Sequence, residues 1–493
     1  MIAASAQPIC IGGTWRVGGG DELRSINPAD GSVNAVLRGA SASDIDEAVE
    51  AGARAAANPA WRNLLPHERA RVLRRIGDGI AAEADALARL QLRDNGKPLY
   101  ETRGLVASAA GTFGFFAAAL ETFESEVTPA RGPFLTMTRY APLGVVGAIT
   151  PWNSPIASDA QKVAPALAAG NAVVLKPSEL TPLVALELAR IAQAAGLPDG
   201  LLSVVPGTGA VAGAALVAHP LVRKISFTGG TETGRAIGRV AAAKTMPVTL
   251  ELGGKSPTIV FADAARDHAL NGVLYGIFSS QGQSCIAGSR CFIERSIYAP
   301  FVAELVARTK ALRVGDPLDP RTHLGPLISP EHRANVEAYV ALARSEGGEV
   351  LCGGRRPNDP ALAAGTYYEP TILSGLRNDA RVCQEEIFGP VLVVLPFDDE
   401  AGVIAQANDT MFGLACGIWT GDYKRAWRVG TAVEAGTLWI NTYKQFSIST
   451  PFAGAKSSGI GVEKGRDGIR SYMQEQSVYW GLNEQPNPWA DAT

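Results

Sequence analysis

The spacing of apolar residues changes several times along the chain. From Asp44 to about Phe123 it is helical. "DIDEAVEAGARAAAN" opens on an acidic first turn after Ser43, which predicts an N-cap there. "HERARVLRRIGDGIAAEADALARLQL" keeps the helical spacing. "FESEVTPARGPFLTMTRYAPLG" breaks it with proline and glycine around a short β-like run, predicting an arm or hairpin that leaves the body. From Leu143 short apolar runs alternate with helical segments. "GVVGAIT", "NAVVLKP", "LLSVVPG", "VRKISFTGG" and "PVTLEL" read as strands. "SDAQKVAPALAAG", "TPLVALELARIAQAAG", "AVAGAALVAHP" and "TETGRAIGRVAAAK" read as the helices between them. Such repetition predicts an α/β fold with a parallel sheet covered on both faces. Ligands bind these sheets at the carboxyl ends of the strands. A second α/β region follows "GGKSPTIVFADA", with the turn-rich "RVGDPLDPRTHLGPLISP" inside it. The tail, "SYMQEQSVYWGL", reads as a late strand.

Composition narrows the class. At roughly 150 residues per domain, 493 residues suggest about three domains. With 46% hydrophobic and 19% charged residues, a sizeable core is expected. A net charge of -3 disfavours nucleic acid as a partner. The six cysteines are scattered without a CxxC pair, which points to a reducing compartment. The N-terminus lacks the basic and apolar regions of a signal peptide, and no uninterrupted apolar run approaches the roughly 20 residues that span a bilayer. A cytoplasmic protein without a membrane partner is expected. Five separated histidines and no HExxH argue against a metal site.

Candidate chemistry gathers at strand ends. "SFTGGTETGR" sits at a strand-to-helix junction, where Gly229 and Gly234, with four residues between them, let a ligand approach and the following helix N-terminus favours phosphate. The spacing alone is weak in a chain with 54 glycines. Lys176 and Glu179, in "NAVVLKPSE", form either a ribose clasp or a surface ion pair. Such a carboxylate repels a 2′-phosphate and favours NAD over NADP. Glu251 ends an apolar strand, as a structural cap or as a base whose pKa burial raises. Asn153, in "ITPWNSP", is an oxyanion donor or, alternatively, a turn residue or helix N-cap. Cys285, in "SSQGQSCIAG", is an accessible thiol in a polar loop or inert packing. The other cysteines, Cys10, Cys291, Cys352, Cys383 and Cys416, read as packing.

Taken together these signals are no longer separate. "PWNSP", "KPSE", "FTGGTETG", "LELGGKSP", "GQSC", "EEIFGP" and "PFAGAKSSGIG" occur in this order, and Glu251 precedes Cys285 by 34 residues. Over nearly the whole chain the set resembles the NAD(P)-dependent aldehyde dehydrogenase superfamily. The resemblance implies Cys285 as nucleophile, Glu251 as general base, Asn153 as half of an oxyanion hole and Lys162 as a supporting lysine. It implies cofactor contacts at Ile149, Thr150, Trp152, Lys176, Ser178, Glu179, Gly209, Phe227, Gly229, Gly230, Thr233, Leu252, Glu386 and Phe388. The cofactor is NAD, with NADP possible.

The implied fold has a Rossmann-type cofactor domain (1–123 and 143–254), an α/β catalytic domain (255–457) and a small β oligomerisation extension (124–142 and 458–493). The extension implies a homodimer or homotetramer. The implied reaction makes a thiohemiacetal and then a thioester, which water activated by Glu251 hydrolyses to the acid. A CoA-acylating relative and a non-enzymatic protein on the same fold are the alternatives. Glu251 argues against the first, and the intact Cys285, Glu251 and Asn153 set against the second. Ser154, Ser158 and Gln161, with Phe446, Phe452, Ser284 and Ile286, suggest a roomy tunnel for an aromatic or polar aldehyde. Lys444 is expected near its mouth.

Overall fold

The computed structural model describes residues 7–484 and Trp489. The first six residues and the last of the tail, placed above in the cofactor domain and the extension, lie outside the described residues.

Two sheets organise the chain. The middle of the first is five parallel strands, ordered Leu202–Val204, Ala172–Lys176, Val145–Ile149, Val222–Thr228 and Val248–Glu251. The chain enters at Val145–Ile149, builds to one side, then crosses to the other. The strand order therefore reverses between Val145–Ile149 and Val222–Thr228, the place where such sheets open a crevice. Helices cover both faces, so these strands read as near-continuous apolar runs. Val145–Ile149 and Ala172–Lys176 are buried at every position.

The second sheet has seven strands, in the order Glu349–Cys352, Thr371–Ser374, Val391–Phe397, Arg290–Glu294, Pro257–Val260, Ala415–Trp419 and Thr437–Ile440. All neighbours are parallel except the first pair. A separate antiparallel sheet joins Val127–Thr128, Phe134–Pro142 and Met473–Gly481. Met473–Gly481 is an edge strand of that sheet, and its Tyr479 and Trp480 are 71% and 64% exposed.

Three local differences have physical causes. The helix expected to start after Ser43 spans Ala42–Ala57 with Ser41 as its cap. Ser41 Oγ accepts from the Asp44 N–H at 3.2 Å, and the Asp44 carboxylate accepts from the Ser41 N–H at 2.8 Å. This reciprocal pair outcompetes a serine two residues later. Second, Gly459–Ile460 does not leave with the extension. It pairs antiparallel with Leu250–Glu251 and closes that edge of the first sheet. Third, one helix, Leu99–Glu121, is long and apolar enough to cross a membrane by length and composition. Its Val106, Ala109, Phe113 and Phe116 are fully buried in the first core, so here its apolar surface faces protein.

Candidate active site

The two sheets converge on Cys285. Helix Arg266–Phe278 ends, and the chain turns through Ser280, Gln281 and Gly282 with φ of 58°, 55° and 70°. Left-handed backbone at two non-glycine residues costs free energy and persists only when its surroundings enforce it. Ser280 donates from N–H and Oγ to the Glu101 carboxylate at 2.8 and 2.9 Å. Gln281 Nε2 donates to Gly96 O at 2.8 Å, and Gln283 Oε1 accepts from the Ile328 N–H at 2.9 Å. At Gly282 a Cβ would stand 2.1 Å from the Gly389 carbonyl oxygen, so only glycine fits. This clamped turn sets Cys285 in the wall of a cavity of about 170 Å³.

Cys285 is half-buried, less accessible than a polar loop suggested. Burial and the carboxylates of Glu386 and Glu251 push its thiol up to about 12, and Lys444 pulls it down. Lys444 is not at the cavity mouth. It does not line the cavity and lies half-buried, its Nζ donating to Ser279 Oγ at 2.9 Å.

Asn153 and Glu251 line the same cavity. Asn153 Nδ2 donates to Gln283 O at 3.1 Å, tying the end of strand Val145–Ile149 to the cysteine loop. The following helix, Pro155–Ala168, has Ser154 as its N-cap residue, so capping does not account for Asn153. Glu251 ends strand Val248–Glu251 and is 3% exposed. Among the described residues neither of its carboxylate oxygens has a hydrogen-bond partner. Burial and the nearby Glu463 carboxylate hold it well above the usual carboxylate range, while Lys162 and Lys464 oppose them.

Lys162 lies one layer behind, in a buried ion pair with Glu463. Ser226 Oγ donates to the same carboxylate at 2.9 Å, and Gln161 Nε2 at 2.6 Å. Gln161 therefore faces Glu463 as well as the cavity. Removing one partner of a buried pair strands the other charge. Lys162→Met is expected to destabilise the protein by about 3–5 kcal/mol. The check is a fall in the denaturant midpoint, largely recovered in the double variant Lys162→Met/Glu463→Leu.

Most of the residues expected at the cofactor sit at the carboxyl ends of the first sheet. Ile149, Thr150 and Trp152 follow one strand, and Lys176, Ser178 and Glu179 another. Lys176 Nζ pairs with Glu179 Oε2 at 3.1 Å, leaving the Glu179 side chain 40% exposed. Phe227 lies near the end of a third, Gly229 and Gly230 follow it, and Leu252 follows a fourth. A Cβ at Gly229 would stand 2.5 Å from the Phe227 ring, whereas Gly209 and Gly230 face open space. Gly209 opens the short helical turn Gly209–Gly213. Thr233 is in the first turn of helix Thr231–Ala243, whose N-cap Gly230 supplies no side chain to its amides. Gly234 belongs to packing, since a Cβ there would meet Leu252 Cδ2 at 2.3 Å.

Glu386 and Phe388 arrive from the second half of the chain. Glu386 accepts from the Gly254 N–H at 3.0 Å, and burial pushes its carboxyl up to about 7. Phe388 is held at φ 56° with its ring 5.2 Å from Trp152. His332 Nε2 lies 2.7 Å from Phe388 O. The other five cysteines are buried, as packing residues should be.

Sequence reasoning missed Glu463 and Lys464, which line the cavity beside Cys285. It also missed Glu101, which clamps the turn. The strand Gly459–Ile460 is what carries 463 and 464 inward. The available signal was a Glu-Lys pair one residue beyond the glycine-rich "SSGIG".

Comparison with known proteins shows the family. The pattern of the aldehyde dehydrogenase family matches residues 15–478. The chain belongs to the aldehyde dehydrogenase family. It is 45% identical over 473 residues to a betaine aldehyde dehydrogenase of Mesorhizobium japonicum, covering 95% of this chain and 96% of that protein. An NAD+ complex of an aldehyde dehydrogenase from Bacillus cereus superimposes with a TM-score of 0.95 at 37% identity, covering 97% of each chain. A betaine aldehyde dehydrogenase from Staphylococcus aureus in complex with NAD+ superimposes with a TM-score of 0.96 at 35% identity, covering 98% of this chain and 97% of that one. The aldehyde dehydrogenase fold expected from the motifs is thus the fold observed.

Proposed function

We infer that this dehydrogenase oxidises an aldehyde to its carboxylic acid, with NAD as hydride acceptor and Cys285 as the acyl carrier. The observation that carries the reading is the meeting of Cys285, Asn153 and Glu251 in one cavity, at the edge of the crevice the first sheet opens.

The chain's residues divide the work. The Cys285 thiolate attacks the carbonyl carbon and forms a thiohemiacetal. Asn153 Nδ2 has two N–H groups. One is held by Gln283 O, and the other is left for the developing oxyanion, with the Cys285 backbone N–H beside it. Glu251 takes a proton from the water that attacks the acyl carbon, and the acid leaves. A carboxylate with no other partner and a raised pKa suits that task. Lys162 and Glu463 act on Glu251 through their charges, Glu463 raising its pKa and Lys162 opposing that.

The residues present fit the cofactor. Free first-turn amides of helix Thr231–Ala243 and open space at Gly209 and Gly230 suit a pyrophosphate. Lys176 and Glu179 suit the adenosine ribose, while Glu386 and Phe388 suit the nicotinamide end. When bound, NAD supplies the hydride acceptor, and the protein supplies position and electrostatics. The first sheet and the N-terminal helices then form the cofactor domain, and the second sheet the catalytic domain.

Serines 154, 158 and 284 with the rings of Phe446 and Phe452 support a polar or aromatic aldehyde. The free edge of Met473–Gly481, with its exposed Tyr479 and Trp480, supports self-association there, because an unpaired edge is a liability. Six free cysteines support a cytoplasmic location. Sedimentation at the mass of one chain would contradict the self-association.

The test of function is an aldehyde panel followed by nicotinamide absorbance, with NAD and with NADP. Turnover without added CoA is expected, with kcat/KM at least about tenfold higher for NAD, since Glu179 repels the 2′-phosphate. A protein that reduces neither cofactor with any aldehyde contradicts the reading.

A further inference from the structure

The cavity beside Cys285 already holds a cation. Lys464 lines it together with Phe446 and Phe452. Its Nζ stands 4.1 Å from the Phe446 ring centroid and 5.1 Å from that of Phe452. A cation between aromatic rings is how proteins recognise quaternary ammonium groups. Here a side chain of the protein takes that place. Its backbone is left-handed, with φ 59°, a conformation lysine adopts only where the surroundings hold it.

Lys464 has no ion-pair partner among the described residues. Burial disfavours its charged form, and the nearby Glu463 and Glu251 carboxylates favour it. Glu463 is occupied by Lys162, Ser226 and Gln161. Glu251 is the group that serves water. An ammonium with ring faces on one side and the cavity on the other has donors left for an anion arriving with the substrate.

We propose that Lys464 determines specificity, selecting short aldehydes that carry a carboxylate at their far end and rejecting those that carry a quaternary ammonium. The assignment rests on the aldehyde oxidation inferred above and deepens it by naming the substrate class. It separates this chain from what the name of its Mesorhizobium japonicum relative describes.

The test is kcat/KM at saturating NAD for succinic semialdehyde, butanal and betaine aldehyde, in the wild type, Lys464→Met and Lys464→Arg. The wild type is expected to favour succinic semialdehyde over butanal by about tenfold or more, the scale of a hydrogen bond to a charged group. Lys464→Met should abolish that preference and raise the ratio of betaine aldehyde to butanal. Lys464→Arg should keep the preference. A wild type that prefers betaine aldehyde, or a semialdehyde-to-butanal ratio that Lys464→Met leaves unmoved, overturns the proposal. So does an equal loss for all three aldehydes, which would tie Lys464 to the thiolate instead of the substrate. If Lys464→Met does not fold, the wild-type ratio decides, and a ratio at or below one overturns the proposal. Oxidation of none of the three by the wild type overturns this proposal, and failure across the wider aldehyde panel strikes the underlying reading of function as well. Oxidation with the wrong selectivity strikes this one alone.

Discussion

Cys285→Ala is expected to lower aldehyde-dependent NADH formation by at least about 10⁴-fold, because among the described residues no other thiol lines the cavity to carry the acyl group as a thioester. Binding of NAD, followed by protein fluorescence or calorimetry, should persist, since the residues suited to the cofactor come from the first sheet and from 386–388. The fold should persist too. Cys285 sits on a turn clamped by Glu101, Gly96 and Ile328 through neighbouring residues, not through its own sulfur. The other cysteines cannot substitute, because all five are buried away from the cavity. The thiol itself starts at a disadvantage. With its pKa pushed up to about 12 by burial and two carboxylates, the thiolate fraction of the free protein is small at neutral pH and grows as pH rises. Alkylation of Cys285 by iodoacetamide should therefore accelerate with pH. Turnover by Cys285→Ala at the wild-type rate would remove the basis of the mechanism.

Glu251→Gln is expected to separate the two halves of the reaction. Glutamine nearly matches the carboxylate in size but cannot accept the proton from water. Acylation of Cys285 should still deliver one equivalent of NADH per active site. Hydrolysis should then fall by about 10²–10⁴-fold, the usual contribution of a positioned base. The pH dependence has a definite sign. Glu251 acts only when deprotonated, and its pKa is raised by burial and by Glu463. Wild-type hydrolysis should therefore increase as pH rises, and Glu251→Gln should lose that dependence. Stopped-flow absorbance across a pH series reads both effects. A glutamine variant with full steady-state turnover and the wild-type pH profile would show that another group activates the water.

Much of the first sheet was legible because its strands are buried on both faces. "GVVGAI" and "AVVLK" announce themselves as apolar runs, and the helices between them show the helical period. The edge strands were not legible. Thr14–Arg16 and Gly459–Ile460 are three and two residues long, too short for any period to register. The same blindness hid part of the site. Cys285, Glu251 and Asn153 were each ambiguous alone and stood out only because the ordered motifs around them resemble one family. Glu463 lies 301 residues from its partner Lys162, and no local spacing reports a contact of that range. Lys464 was read as part of an extension because the turn that brings it inward depends on its own left-handed backbone. The cap at Ser41 shows the limit on a smaller scale. Two serines compete for one helix start, and the reciprocal bond with Asp44 decides it.

The central claim is that Cys285 carries the acyl group, and peptide mass spectrometry of Glu251→Gln tests it most directly. The variant is mixed with NAD and butanal, quenched in acid and digested. The account predicts a single butyryl thioester on the peptide containing Cys285, present with NAD and absent without it. An unmodified Cys285 peptide after a full equivalent of NADH has formed, or the acyl group on another residue, would contradict it.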